Sequence, residues 1–166
     1  DKMSSKVLNG FFVNGSLDSL RVIGMASTTY HLFEDSLYKG KNLTSGDTII
    51  MRFDEKDLDD IVVDGGSQGE YVPNKKTNDS DFPLIYSADR IDYFLKTETT
   101  KLIGNAKAKH ENTDLKAGFI EVNWPTRILN AFPKQPHDSI NQFIKPTIIE
   151  KGRDPMVGNE MTYNLD

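Results

Sequence analysis

The sequence predicts an all-β fold built from recurring strand-sized units. One short phrase recurs along the chain: a small residue, two variable positions, Ile or Met, a polar residue, and Tyr, Val or a similar residue. Its copies read ADRIDY at 88–93, AGFIEV at 117–122, GNEMTY at 158–163 and, more loosely, GDTIIM at 46–51. A second phrase, IGMA at 23–26, is echoed by IGNA at 103–106. Such recurrence is typical of a stacked or rolled β-array, which offers extended surface rather than a single reactive point.

Small and apolar side chains fall on every second position rather than at helical spacing. The even positions from 22 to 32 share one strand face, and Ile49, Met51 and Phe53 share another. This alternation is typical of a strand with one face in a core and the other in water. A hydrophobic fraction of 37% suits sheets of this kind. The pattern therefore predicts strands rather than helices.

Short polar segments between these strands predict hairpins. The segment DEKD at 54–57 separates strands 49–53 and 58–63. The segment KTET at 96–99 separates strands 91–95 and 101–110. The segment ENTD at 111–114 precedes strand 115–124. Pro125 ends that last strand, because proline cannot donate to a strand ladder, and 127–132 supplies another short strand. The result is a meander of strands about 6 to 10 residues long joined by turns of about four.

Two stretches, 73–81 and 132–138, break this rhythm. The first is polar and contains several Asn and Asp residues, and the second contains two Pro residues, so we expect surface loops within one domain. A short helix is predicted at 138–144, where apolar residues have helical spacing after an Asp-Ser start. The 166 residues are predicted to form a single domain. Because the chain begins without Met and stops at Asp166 in mid-phrase, we interpret it as a piece of a longer precursor.

The composition excludes some partners. The net charge is −5, and the 20 Lys and Arg residues are scattered rather than gathered on one face. A nucleic-acid partner is therefore not expected, because neutralising phosphates needs a concentrated basic surface. The chain contains no Cys, which excludes disulfides and cysteine-ligated metals.

The sequence contains no pattern of catalytic or metal-binding residues. His31, His110 and His137 lie far apart, and none belongs to an HExxH motif. The acidic run at 54–60 lacks the DxDxDG pattern of calcium loops, so we interpret it as a solvated hairpin tip. The GGSQG segment at 65–69 opens no helix, and we interpret it as a β-bulge or tight turn rather than a phosphate cradle. We therefore predict a non-enzymatic domain without metal or cofactor.

Trp124 and Tyr93 raise an alternative, an extracellular carbohydrate-binding or adhesion β-sandwich, because aromatic rings can stack on sugars. Their parity places Trp124 with Ile120 and Val122, and Tyr93 with neighbouring apolar residues of its own strand. Such parity predicts rings that face inward rather than a flat exposed aromatic face.

Residues 87–132 resemble the OstA-like family of lipopolysaccharide-transport domains, which includes LptA and the N-terminal domain of LptD. The motifs that carry the resemblance are ADRIDY at 88–93, LIGNA at 102–106, LKAGFIE at 115–121 and ILNAF at 128–132. PMVGNEMTYN at 155–164 is similar to a segment that reopens the array in LptD-like chains. LptD-like proteins often carry cysteines beside this domain, and none occurs here. The residues leave open whether the chain is LptA-like or LptD-like.

The resemblance implies a twisted antiparallel β-jellyroll with an apolar groove that holds the lipid A acyl chains of lipopolysaccharide. It implies a periplasmic, outer-membrane-associated domain that works with the outer-membrane assembly complex and stacks edge to edge with other OstA-like domains. We expect the strands near 7–13 and 161–165 to form these contacts by edge-strand pairing, because an open sheet leaves backbone groups unpaired at its edges.

Parity along the strands assigns a set of mostly apolar side chains to the groove wall. The predicted lipid-binding residues are Tyr30, Leu32, Ile49, Met51, Phe53, Ile91, Tyr93, Leu95, Leu102, Ala106, Ile120, Val122, Trp124, Ile128, Met161 and Tyr163. Small residues are expected to leave space in this interior. They are Gly24, Ala26, Gly104, Ala106 and Ala108.

Overall fold

The computed structural model describes residues 2–34, 37–74, 82–134 and 143–165, and these form one antiparallel sheet of twelve strands. The strands are β1 Lys2–Ser4, β2 Val7–Val13, β3 Ser16–Glu34, β4 Leu37–Asp54, β5 Asp57–Pro73, β6 Leu84–Phe94, β7 Thr99–His110, β8 Thr113–Asn123, β9 Ile128–Phe132, β10 Thr147–Glu150, β11 Met156–Val157 and β12 Met161–Asn164. The described part of the chain contains no helix, and thus none long and apolar enough to cross a membrane. The predicted all-β class is confirmed.

Consecutive long strands β3 to β8 lie side by side, as the predicted meander requires. On one side, β1 and β2 both pair with β3, and on the other β8 pairs with β9 and β10 along different parts of its length. Turns separate β4 from β5, β6 from β7 and β7 from β8 at the three predicted hairpins. The loop prediction at 73–81 and the helix prediction at 138–144 fall mainly on 75–81 and 135–142, outside the described residues.

The predicted strand length is wrong for the first half of the sheet. Strands β3, β4 and β5 contain 19, 18 and 17 residues. They are long because each one bends in its middle and continues, so that one strand contributes to two layers. A bend of this kind needs a bulge, which inserts unpaired residues without ending the ladder.

The bends of neighbouring strands line up across the sheet, and we call this alignment the fold line. Pairing shifts register between positions 23 and 26, 45 and 48, 64 and 67, 87 and 90, and 103 and 106. Pairs of consecutive residues with positive φ occupy it in β3, β5 and β7. These pairs are Gly24–Met25, Gly65–Gly66 and Gly104–Asn105. The recurring IGMA and IGNA phrases therefore mark the fold line.

The fold line divides the sheet into two arms. Arm 1 comprises 16–23, 48–54, 57–64, 90–94, 99–103 and 119–123 together with β9 and β12; arm 2 comprises 26–34, 37–46, 67–73, 84–88, 106–110 and 113–117 together with β10 and β11. One hydrophobic core contains residues of both arms. Aromatic pairs join them, with ring centroids 5.8 Å apart for Tyr30 and Tyr93 and 4.9 Å apart for Tyr71 and Trp124. The sheet thus folds onto itself and encloses its apolar face.

Candidate functional site between the two arms

The structure places fifteen of the sixteen predicted groove residues in the core or against it. Nine are buried: Tyr30, Ile49, Met51, Ile91, Tyr93, Leu102, Ala106, Ile120 and Val122. Six are partly buried and pack on that core: Leu32, Phe53, Leu95, Trp124, Met161 and Tyr163. The parity analysis therefore found the inward face of most strands.

Ile128 is the exception, and its inward assignment is wrong. It is half-buried and lies outside the core, whereas its neighbours Leu129 and Ala131 are 1% and 0% exposed. Leu129 lies opposite the buried Val122, which sets the phase of the short strand β9. Asn130 shares the parity of Ile128, and this polar residue was a signal that their common side faces outward.

The parity analysis also missed buried residues in the arm 2 parts of β6 and β8. In β6 the buried residues are Tyr86 and Ala88 before the fold line but Ile91 and Tyr93 after it. The phase changes because β6 crosses the fold line with one residue fewer than β5 and β7, in which the extra residue of the bulge preserves the parity of the buried positions. Leu84, Tyr86 and Ala88 in β6 and Leu115 and Ala117 in β8 were missed for this reason. Further missed core residues, on elements that do not cross the fold line, are Leu129, Ala131, Ile148 and Leu165.

A continuous row of aliphatic side chains lines arm 1 beside the fold line, and we call it the aliphatic row. Its members are Val22, Ile49, Val63, Ile91, Leu102 and Ile120. Each is a register partner of the next across neighbouring strands, and none is more than 1% exposed. The row runs perpendicular to the strands, along the order of the sheet. It therefore provides one apolar surface from β3 to β8.

Arm 2 places small residues in the corresponding position. Ala26, Ser67, Ala88, Ala106 and Ala117 are all buried there. The glycines at the fold line have a different role, because Gly104 has a φ of 75° and a Cβ there would lie 2.4 Å from Asp89 Oδ2. Backbone conformation and close approach thus account for this glycine. The alanines are small buried side chains, and they allow arm 2 to lie close to the aliphatic row.

A cluster of polar side chains lies within the interior between the arms, and we call it the polar cluster. It consists of Tyr30, Asn42, Thr44, Tyr86 and Tyr93. Tyr93 of arm 1 donates a hydrogen bond to Thr44 Oγ1 of arm 2 at 3.1 Å, and Tyr86 donates to Asn42 Oδ1 at 2.8 Å. The hydroxyls of Tyr86 and Tyr93 are 3.1 Å apart. The two contacts of Tyr93 link the arms inside an otherwise apolar space, whereas the bond from Tyr86 to Asn42 lies within arm 2.

Burial keeps the cluster's phenols protonated. Removal from water disfavours the phenolate and raises the pKa of Tyr93 to about 12. The same desolvation raises the pKa of Tyr30 and of Tyr86 well above the ordinary value. All three hydroxyls therefore remain hydrogen-bond donors at neutral pH.

A cleft of about 440 Å³ opens where the arms meet farthest from the fold line, and we call it the mouth cleft. Its lining includes the apolar and aromatic side chains of Tyr30, Leu32, Tyr71, Tyr93, Leu95 and Trp124 together with polar and charged residues such as Lys39 and Glu98. The Trp124 ring packs against the Tyr71 ring, and its Nε1 donates a hydrogen bond to Thr100 Oγ1 at 2.9 Å. Trp124 and Tyr93 thus face inward, as predicted, rather than forming an exposed sugar-stacking surface.

A second concavity, about 610 Å³ in volume, lies on the outer side of arm 2. Lys107, Lys109 and Lys116 line it together with Glu70 and Asp114. It contains none of the predicted groove residues. The mouth cleft and the interior behind it are therefore the candidate site.

The acidic run at 54–60 pairs with basic side chains at the hairpin tips. Lys96 Nζ lies 2.6 Å from Asp54 Oδ2 and 3.0 Å from Asp59 Oδ1, and Arg52 Nη1 lies 2.7 Å from Asp60 Oδ1. Among the residues that the structure describes, no three His, Asp or Glu side chains converge on one point. The interpretation of 65–69 as a bulge is confirmed by the register shift between Asp64 and Ser67.

Both predicted edge strands have one unpaired side among the described elements. Strand β2 pairs only with β3, and β12 pairs only with β9. Strand β2 is exposed along its whole length and carries several large apolar side chains. These are Val7, Leu8, Phe11, Phe12 and Val13, each 48% exposed or more. The sheet therefore ends in one apolar edge at β2 and a second edge at β12.

Comparison with known proteins identifies the fold. No protein-family model matches the chain, and no curated protein matches it. A solved structure that does match is LptH of Pseudomonas aeruginosa, described as the LptA-homologous periplasmic component of the conserved lipopolysaccharide transport device. The match has a TM-score of 0.69 and 14% sequence identity, and it covers 90% of this chain and 94% of LptH. The LptA-like β-jellyroll expected from the OstA-like resemblance is confirmed.

Proposed function

We propose that this chain is a non-enzymatic domain of periplasmic lipopolysaccharide transport that shields lipid A acyl chains between its two arms. The observation that carries the proposal is the aliphatic row, which crosses the sheet without interruption in a fold shared with LptH. LptH belongs to a transport device, and the likeness supports a transport role over an enzymatic one.

The chemistry of the row suits a cargo that must be both held and released. Burial of an acyl chain contributes about 0.8 kcal/mol per CH₂, so part of one chain supplies ample affinity. Val, Ile and Leu present nearly the same apolar surface at each strand, and a chain that advances by one strand therefore gains and loses similar contacts. Uniformity along the sheet lowers the barrier to movement.

Cargo enters, in this proposal, at the mouth cleft. The members of the aliphatic row have no exposed surface to offer in the closed structure. At the cleft the arms meet through aromatic and aliphatic contacts such as that between Tyr71 and Trp124. An acyl chain that inserts there replaces the contacts between the two arms with equivalent contacts between each arm and the chain.

The two sheet edges supply the proposed contacts with partners. Strand β2 presents unpaired backbone and apolar side chains, and β12 presents unpaired backbone at the opposite end of the sheet. Pairing of β2 with β12 of another OstA-like domain aligns their interiors end to end. We place the domain in the periplasm, associated with the outer membrane and its assembly complex.

Photo-crosslinking tests the acyl-binding role. A benzophenone amino acid at Leu95, in the mouth cleft, is expected to capture purified lipopolysaccharide on irradiation. The matched control is Ile85, an apolar residue of β6 that is 52% exposed on the outer side. Capture at Ile85 equal to or above capture at Leu95 would contradict the proposal.

A further inference from the structure

The polar cluster lies between the mouth cleft and the aliphatic row. Tyr30 and Tyr93 belong to the cluster and also line the cleft. Two residues along β6 from Tyr93, toward the fold line, is Ile91 of the aliphatic row. A molecule that enters from the mouth therefore meets polar groups first and an apolar surface beyond them.

One buried hydrogen-bond donor in the cluster, which lies beside Tyr30, has no partner in hydrogen-bond geometry. Asn42 is 1% exposed, and its Nδ2 makes no hydrogen bond within the described residues, although its Oδ1 accepts from Tyr86. Its register partners on either side are Tyr30 and Tyr71, and both line the cleft. Because an unsatisfied buried donor is costly, native structures rarely keep one without a reason.

We infer that Asn42 and the neighbouring tyrosines recognise the ester or amide carbonyl at the head of an acyl chain. In an acylated amphiphile the polar head, the carbonyl and the methylene chain follow one another in that order. The interior presents the mouth, the polar cluster and the aliphatic row in the same order. The inference rests on the proposed acyl-binding function and adds to it a site that selects esters and amides over plain alkyl chains.

The chemistry of the cluster favours a neutral acceptor. Asn42 Nδ2 can only donate, so its missing partner is an acceptor oxygen. A carboxylate or phosphate would bring a charge into a buried space with no cation in the cluster, at a large desolvation cost. A carbonyl oxygen accepts the bond without that cost. When the arms separate around an acyl chain, the carbonyl oxygen can also accept the hydrogen bonds that the Tyr86 or Tyr93 hydroxyl loses.

Two lipids that differ only in the carbonyl test this inference. The probes are 1-dodecanoylglycerol and 1-O-dodecylglycerol, each titrated below its critical micelle concentration by isothermal calorimetry. The wild-type protein is expected to bind the ester about fivefold more tightly, the equivalent of about 1 kcal/mol, because only the ester offers a carbonyl oxygen to Asn42.

Two variants locate the preference. Asn42→Leu is expected to bind the two lipids with equal affinity, whereas Thr48→Val, a partly buried position of β4 outside both the cleft and the cluster, is expected to retain the fivefold ratio. Equal binding of ester and ether by the wild-type protein would overturn the inference and leave the acyl-binding function standing. A ratio that persists in Asn42→Leu would overturn the assignment to Asn42. Binding of neither lipid would overturn both the inference and the proposed function.

Discussion

At the scale of the residue, Gly118 occupies the point where β8 changes partners. Residues 113–116 of β8 pair with β10, and residues 119–123 pair with β9. Between them, Gly118 N donates to Ile144 O at 3.0 Å, and a Cβ on Gly118 would lie 1.8 Å from Pro133 O. The glycine that follows the small residue Ala117 in this copy of the recurring phrase is thus required by the close approach of two backbones.

The first prediction concerns this contact. Gly118→Ala is expected to lower the free energy of unfolding by about 3 kcal/mol, because the overlapping atom belongs to backbone and cannot swing away. Gly10→Ala is the control, since its Cβ would meet side chains at 3.4 Å or beyond in the exposed strand β2. The control is expected to change stability by about 0.5 kcal/mol or less. Urea unfolding measures both, and equal effects would contradict the role of the close approach.

The second prediction concerns the buried phenols. Below pH 10 the folded and unfolded states both keep these protons, but above it the unfolded state loses them first because the folded pKa is higher. Stability is therefore expected to fall as pH rises above 10, by about 1.4 kcal/mol per pH unit for each such tyrosine. Urea unfolding from pH 8 to 11.5 measures the slope. Tyr93→Phe is expected to reduce the loss of unfolding free energy per pH unit. An unchanged slope would contradict its assignment to the buried tyrosines.

At the scale of the element, alternation in the sequence predicted the strands and hairpins but not how far each strand extends. Within one arm the period of two holds, so residues such as Ile91 and Tyr93 or Ile120 and Val122 were placed correctly. At the fold line β6 lacks the extra bulge residue that β5 and β7 carry, so the parity of its buried positions changes and Tyr86 was missed. The glycine pairs mark these bulges in the sequence, but their alignment across the sheet depends on long-range pairing that local patterns do not contain.

The third prediction concerns the exposed edge. The protein is expected to associate as its concentration rises, and Leu8→Lys with Phe12→Lys in β2 is expected to weaken association, because charge on an edge strand opposes pairing. Ile85→Lys is the matched control: Ile85 and Leu8 are 52% and 55% exposed, but β6 lies between β5 and β7. Sedimentation velocity from micromolar to millimolar concentration measures the effect. A strict monomer at all concentrations, or equal effects of both changes, would contradict edge pairing.

At the scale of the whole molecule, the two arms form a roll, and the contacts between them differ with distance from the fold line. Beside the fold line, aliphatic side chains of arm 1 meet alanines of arm 2, and farther out hydrogen bonds such as that from Tyr93 to Thr44 link the arms. At the mouth, Tyr71 and Trp124 meet across the cleft. The sequence identified the apolar wall because burial follows parity. It could not identify the polar cluster, because Asn42 and Thr44 contact Tyr86 and Tyr93 only when the sheet folds onto itself.

The last prediction uses Trp124, the single tryptophan of the chain, as a reporter of the mouth cleft. Entry of an acyl amphiphile is expected to shift its emission to shorter wavelength and reduce quenching by acrylamide, because the half-buried ring then exchanges water for methylene groups. Leu95→Arg places a charge in the cleft and is expected to abolish the response to 1-dodecanoylglycerol. Ile85→Arg, on the outer side of the sheet, is expected to leave it intact. A response that persists in Leu95→Arg would mean that the lipid reaches Trp124 from outside the roll, and the mouth cleft would then not be the point of entry.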